Sequence, residues 1–256
     1  PGYYAHLIVH KDSPFTKLDD VLKCDKSLDF GIGDPNSTSG FLVPTSYIFA
    51  AKGIDAKACF KTVRNANHEA NALAVANKQV NVATNNSENL DRLKKTAPDA
   101  LANLKIIWTS PLIPSDPLVW RKDLSADAKA KIYGFLMNYG RVGTEDELKK
   151  QREVLAALGW APFRPSSNDQ LIPIRQLEAS KKLLKIESDD KIAADDKKKQ
   201  VEAVKAEIVK LDEVAKTAAS SDMVKRVAAF LDADKAAKAN DVKKLIGEFA
   251  AGFAKK

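Results

Sequence analysis

The chain has 256 residues, 45% of them hydrophobic, enough for one or two domains with a substantial core. Its formal charge of +7 comes from 41 basic and 34 acidic side chains that are interspersed, which argues against the clustered basic and aromatic patch that nucleic acid requires. No apolar run approaches the ~18 residues of a membrane span, and three histidines and two cysteines at unrelated spacings carry no metal-ligand signature.

In chain order, Pro1 leads almost at once into an apolar stretch at residues 5 to 9, so a fragment with a segment ahead of it is expected. Strands are expected at Ala5 to His10, Leu28 to Ile32, Phe60 to Arg64, Val80 to Thr84 and Leu104 to Thr109. Helices are expected near 16–23, 39–52, 69–78 and 87–103, the last interrupted at Pro98. This alternation implies a largely parallel sheet with helices on both faces and a ligand site beyond the carboxyl ends of the strands. Cys24 and Cys59 each precede an expected strand, and parallel neighbours can bring them together at one sheet edge, as a disulfide or as two buried thiols.

The segment LDFGIGDPNSTSGFLVP, residues 28–44, drops from a strand through a turn into three hydroxyl residues and then a helix. Ser37, Thr38 and Ser39 can each offer an O–H and a backbone N–H at the positive end of a helix dipole, an anion cradle of uncharged donors. The same residues also make ordinary caps and turns. Pro44 is expected to separate a short anion-binding turn from the main helix.

Beyond residue 110, PLIPSDPLVW reads as a stiff connector, followed by amphipathic helices near 125–139 and 144–158 that have no sheet of their own, which suggests missing strands. From about 177 the chain is rich in Ala, Lys, Asp and Glu. Val201, Val204, Ile208, Leu211, Ala215 and Ala218 form a short heptad seam that can pack on the same chain or pair with a second copy.

Four more residues are candidates. His68 precedes a helix, where its imidazole can donate to an oxyanion or simply sit as a surface or capping residue. Glu88 stands in the first turn of another helix, which the dipole favours with or without a ligand. Asp116 lies in a proline-rigid turn that can aim a carboxylate into a cleft, although Asp-Pro is also a common turn pair. Tyr3 can present its ring to a cation or close a strand. Neutral donors facing two carboxylates suit a zwitterion with a phosphonate, phosphate or sulfonate head and an ammonium tail.

GDPNSTSGFLVP, NHEANALAVANKQVNVATNNSENLDRLKK, SPLIPSDPLVWRK and LGWAPFRPSS closely resemble the phosphonate-binding proteins of bacterial phosphonate ABC transporters. The likeness is close over residues 1 to about 177 and loose to about 220. It implies an α/β, type II periplasmic-binding-protein-like two-lobe fold, one lobe complete and the other partial, with a helical C-terminal tail. The expected divisions are an α/β ligand-binding lobe over 1–115, a returning segment of the incomplete lobe over 116–176, and the tail over 177–256. The resemblance further implies that Ser37, Thr38, Ser39 and His68 hold the phosphonate oxygens. Glu88 and Asp116 would bind the amino group of a ligand such as 2-aminoethylphosphonate, with Tyr3 lining the pocket. It departs from the family in lacking the front half of the first lobe, and Asn65 to Asn67 is one residue longer than the family pattern before His68.

The expected function is therefore capture of an alkylphosphonate in the periplasm for an inner-membrane ABC permease, with no cofactor and no nucleic acid. A homodimer through the C-terminal helices is the further partner considered. Phosphite or sulfonate binding is the nearest alternative. A phosphonate-processing enzyme is the more distant one, since the hydroxyl triplet has no adjacent base and no nucleophile sits beside a base and an orienting carboxylate. A third reading makes the tail an oligomerisation or interaction module.

Overall fold

The computed structural model describes residues 2–218 and 221–253. Two compact units emerge, one of Pro1–Asp116 with Leu171–Asp212, the other of Pro117–Gln170 with Glu213–Lys256.

The first unit contains strands β1 (Gly2–Tyr3), β2 (Ala5–His10), β3 (Asp29–Ile32), β4 (Thr62–Asn65), β5 (Val82–Asn86), β6 (Leu104–Thr109) and β7 (Ile113–Pro114). Its helices are α1 (Leu18–Val21), α2 (Ala56–Cys59), α3 (His68–Ala76), α4 (Ser87–Thr96), α5 (Pro98–Ala102), α8 (Ile172–Glu187) and most of α9 (Ala194–Ala218). Five strands form one sheet in the order β4-β3-β5-β2-β6, and β1 pairs with β7 in a separate ribbon. Alternation along β2 and β5 divides the core between the two faces: Leu7, Val9 and Val82 join Phe30, Phe49 and Phe60, while Ile8 and Ala83 meet Ala72, Val75, Leu90 and Leu93. Phe30 stacks on Phe60 at 4.5 Å between ring centroids and meets Phe49 edge-on at 5.6 Å. Each such pair is worth about 0.5–1.5 kcal/mol beyond burial.

The expected largely parallel sheet holds for four of its five strands, with β2 opposed. β3 runs parallel to β4 and β5, but β2 is antiparallel to both β5 and β6, so the sheet is mixed. β2 inserts between β5 and β6, and β5 separates it from β3, so it alone runs against the other four strands.

Cys24 and Cys59 are joined in a disulfide. The bond closes a sequence separation of 35 residues, next to the buried Phe60. Replacing both cysteines with serine is expected to lower stability by about 2–4 kcal/mol, and equilibrium urea unfolding of the oxidised chain beside the double variant measures it.

The expected tail divides between the units. Val201, Val204, Ile208 and Leu211 of α9 pack on Ala179, Leu183 and Ile186 of α8. The seam is thus filled within the chain, because α8 presents apolar residues at matching three- and four-residue spacing. The considered homodimer through these helices finds no support, since its apolar face is already covered.

The second unit holds α6 (Ala126–Asn138), α7 (Glu145–Ala157), α10 (Asp222–Lys235) and α11 (Ala239–Ala251). Instead of strands, α10 and α11 cover α6: Met137 is buried with Phe230, Ala233, Val242, Ile246 and Phe249. Arg141 reaches both carboxylate oxygens of Asp234 at 2.8 and 3.0 Å and lies 5.0 Å over the Phe230 ring. Phe135, Val154, Leu158 and Trp160 stay exposed on this unit. Among the described residues no helix is long and apolar enough to cross a membrane, and no group of three or more His, Cys, Asp or Glu side chains is placed to hold a metal.

Candidate functional site

The sheet topology gathers the candidate residues of the first unit. β3, β4 and β5 are parallel, so the loops after Ile32, Asn65 and Asn86 leave the same edge. Because β2 runs the other way, with Ala5 opposite Asn86, the residues before β2 arrive at that edge too. Tyr3 pairs with Ile113 in the β1–β7 ribbon, which also brings in the segment ending at Asp116. Had β2 been parallel, Tyr3 would lie at the opposite end of the sheet.

The cradle begins at Gly33, whose N–H donates to the Gly40 carbonyl at 2.9 Å. A Cβ on Gly33 would come within 2.6 Å of Gly40 Cα, and one on Gly40 within 2.8 Å of Ser37 Oγ, so this approach of backbone on backbone demands glycine at both positions. Ser37 caps the helical turn, its Oγ accepting from Gly40 N at 3.0 Å while its carbonyl accepts from both Phe41 and Leu42 N–H. The turn is a π-helix over Thr38–Leu42, and a second π segment spans Thr45–Phe49. Pro44 does not interrupt the path as expected: it keeps right-handed helical angles between the two wide segments. It has no N–H for the ladder, and i→i+5 turns accommodate the missing bond. Thr38 and Ser39 occupy the first turn, where N–H groups lack intrahelical acceptors.

Ser39 is buried and central. Its Oγ lies 3.0 Å from His68 Nε2 and receives a hydrogen bond from Asn86 Nδ2 at 3.0 Å. The Ser39 side chain also acts on the Tyr3 phenol, opposing the rise in its pKa. Asn67, not His68, caps α3, its Oδ1 accepting from Ala70 N at 2.8 Å; the His68 ring is left to face Ser39. Burial lowers the His68 pKa and the Arg92 charge lowers it further, which favours neutral imidazole.

The acidic side is electrostatically joined to the same cluster. Burial first, then the charges of Asp116 and Glu88, push the Tyr3 phenol up to about 12, so it remains a neutral O–H. Glu88, in the first turn of α4, is raised above its ordinary value by loss of solvent and by Asp116, with Arg92 opposing. Ser39 is therefore tied by hydrogen bonds to His68 and Asn86; Ser39, Glu88 and Asp116 all act on the Tyr3 phenol, and Ser37 and Thr38 frame the turn beside them.

Three asparagines, Asn85, Asn86 and Asn89, were not singled out from sequence. Asn85 and Asn86 lie past the expected strand end at Thr84, yet they are the buried end of β5. Their amides replace solvent: Asn85 Nδ2 donates to the His68 carbonyl at 2.7 Å, Asn89 Nδ2 to Asn85 Oδ1 at 3.0 Å, and Asn86 Oδ1 accepts from Asn89 N at 2.7 Å. The available signal was the density of asparagine directly after an apolar run, since buried amides need specific partners.

The mixed five-stranded sheet, with its candidate site at one strand end, has the α/β fold of type II periplasmic binding proteins. A crystal structure of a binding protein component of an ABC phosphonate transporter from Pseudomonas aeruginosa superposes with a TM-score of 0.72 at 47% identity, covering 83% of this chain and 68% of that one. The family model for the phosphonate periplasmic substrate-binding proteins of ABC transporters matches residues 1–171, and the chain belongs to that family. The phosphonates-binding periplasmic protein of Escherichia coli (strain K12) is 55% identical over 212 residues, 83% of this chain. The chain spans 61% of the length of that relative. A Prochlorococcus marinus (MIT 9301) protein solved in complex with methylphosphonate shares the fold at 18% identity, with a TM-score of 0.55 over 70% of this chain and 66% of its own.

Proposed function

We propose that this chain carries the phosphonate-binding lobe of a periplasmic solute-binding protein that captures an aminoalkyl phosphonate and hands it to an inner-membrane ABC permease. Residues 1–115 form that lobe and 116–176 the returning segment of the second. Ser37, Thr38 and Ser39, with His68, hold the phosphonate oxygens through uncharged donors; Glu88 and Asp116 take the ammonium group, and Tyr3 lies between the two halves. The observation that carries this reading is the position of Tyr3, whose phenol responds both to the Ser39 side chain and to the charges of Asp116 and Glu88. Donors on one side and carboxylates on the other match a zwitterion a few bonds long. Binding does not require a bond to be made or broken in the ligand.

Calorimetric titration with 2-aminoethylphosphonate, ethylphosphonate, 2-aminoethanesulfonate and phosphite tests the reading. The amino-phosphonate is expected to bind most tightly, with loss of either the amino group or the phosphonate costing about tenfold or more. Equal affinity for all four would remove the argument. Phosphate release from the same ligand, with or without divalent metal, is expected to be nil, and turnover would favour an enzyme.

A further inference from the structure

We propose that Asn86 is a positioning residue of this site: by donating to Ser39 Oγ it turns the single hydroxyl hydrogen of Ser39 toward the bound oxyanion. The inference rests on the phosphonate reading above and adds to it the residue that orients one of its donors.

The direction of the Asn86 amide follows from its partners. Oδ1 accepts the backbone N–H of Asn89 at 2.7 Å as the cap of α4, so the other end of the amide, which can only donate, faces Ser39. The backbone is held as well, with Asn86 N–H donating to Asn85 Oδ1 at 3.0 Å while Asn85 Nδ2 binds the His68 carbonyl. A serine hydroxyl has one hydrogen and two lone pairs. With one lone pair committed to Asn86 and the other to the ring N–H of His68, in the tautomer that protonates Nε2 and leaves the unpartnered Nδ1 bare, the hydrogen is left for the side where Tyr3 and the cradle meet.

That direction matters because an oxyanion accepts only donors. Ser37 and Thr38 are half-buried, whereas Ser39 is 3% and Asn86 7% exposed, so the protein must set the orientation of this hydroxyl. Capping alone does not call for asparagine here, since Asp, Ser and Asn cap helices about equally well. Aspartate would keep the cap but place an acceptor and a negative charge against Ser39, drawing its hydrogen away from the ligand. Serine would keep the cap and be too short to bridge.

Affinities of the chain for 2-aminoethylphosphonate and ethylphosphonate, measured by calorimetry, test this with two variants that both retain a capping side chain. Asn86→Ser is expected to weaken both ligands about tenfold and Asn86→Asp about a hundredfold or more, as for a lost and a reversed bond to a charged group. Thermal midpoints should stay within about 3 °C of the parent. In a Ser39→Ala background, Asn86→Ser should change affinity by less than about twofold, because the residue it acts through is gone. Parent-like affinity in Asn86→Ser, or the same tenfold loss with Ser39 already replaced, overturns the inference and leaves the phosphonate reading intact. Failure of the unsubstituted chain to bind either phosphonate overturns both.

Discussion

Substituting Glu88→Gln together with Asp116→Asn should weaken 2-aminoethylphosphonate about 100-fold, roughly 2.7 kcal/mol, while ethylphosphonate changes by less than about threefold. Only the amino ligand brings a cation, and both carboxylates act on the same Tyr3 phenol. Glu88 sits above its ordinary pKa because of lost solvent and Asp116. The sign of that shift is informative. A carboxyl raised on folding contributes stability below its unfolded pKa and loses it as pH rises through the folded value, so ionised Glu88 is a cost at neutral pH. An ammonium group relieves that cost. The preference for amino over plain alkyl ligand should therefore decline as pH falls through the raised Glu88 pKa, and disappear in the double variant. Calorimetry across an acidic pH series reads both effects; equal losses for the two ligands would break the assignment of the ammonium site.

The second large effect is expected from Gly33→Ala. The new methyl would meet Gly40 Cα at 2.6 Å and its carbonyl carbon at 2.7 Å, and both are backbone atoms with no rotamer to escape into. Relief requires the π turn to move off β3, which breaks the bond from Gly33 N–H to the Gly40 carbonyl and displaces Ser37 from its cap. Stability should fall by about 3 kcal/mol, and phosphonate affinity should fall with it. Gly134→Ala is the matched control: nothing lies within 4 Å of its added Cβ, and it sits inside α6. That change is expected to stabilise by about 0.5–1 kcal/mol. Urea unfolding of the two variants gives the comparison, and a Gly33→Ala protein with parent-like stability and binding would contradict the tight approach.

Much of the fold was legible because its signals are local. Ala5–His10 and Leu104–Thr109 were expected with the bounds they have, since short apolar runs between turn residues define strands without reference to partners. The heptad positions of α9 showed an apolar face but not its partner, because a seam of that length fits any complementary helix; α8 is the one that fills it. Likewise, α6 and α7 have faces that read as sheet-covering, and only the packed structure shows α10 and α11 over α6. Periodicity specifies that a face is buried; what buries it depends on contacts remote in sequence.

For the candidate site, the residues of the hydroxyl trio, His68, Glu88 and Asp116 could be picked out from residue type and turn chemistry, with roles lent by family likeness. Asn86 could not, because a capping asparagine looks the same whether or not its amide has a second task. By itself, the sequence determined the five strands of the main sheet though not the β1–β7 ribbon, the turn before Ser37 and the charge types on offer, since these depend on neighbours a few residues apart. The tertiary structure alone decided that β2 reverses, and that reversal brings Tyr3 to the end of the sheet where β3, β4 and β5 finish. Strand direction depends on which edge a strand finds during packing, and a hydrophobic run reads the same for either direction.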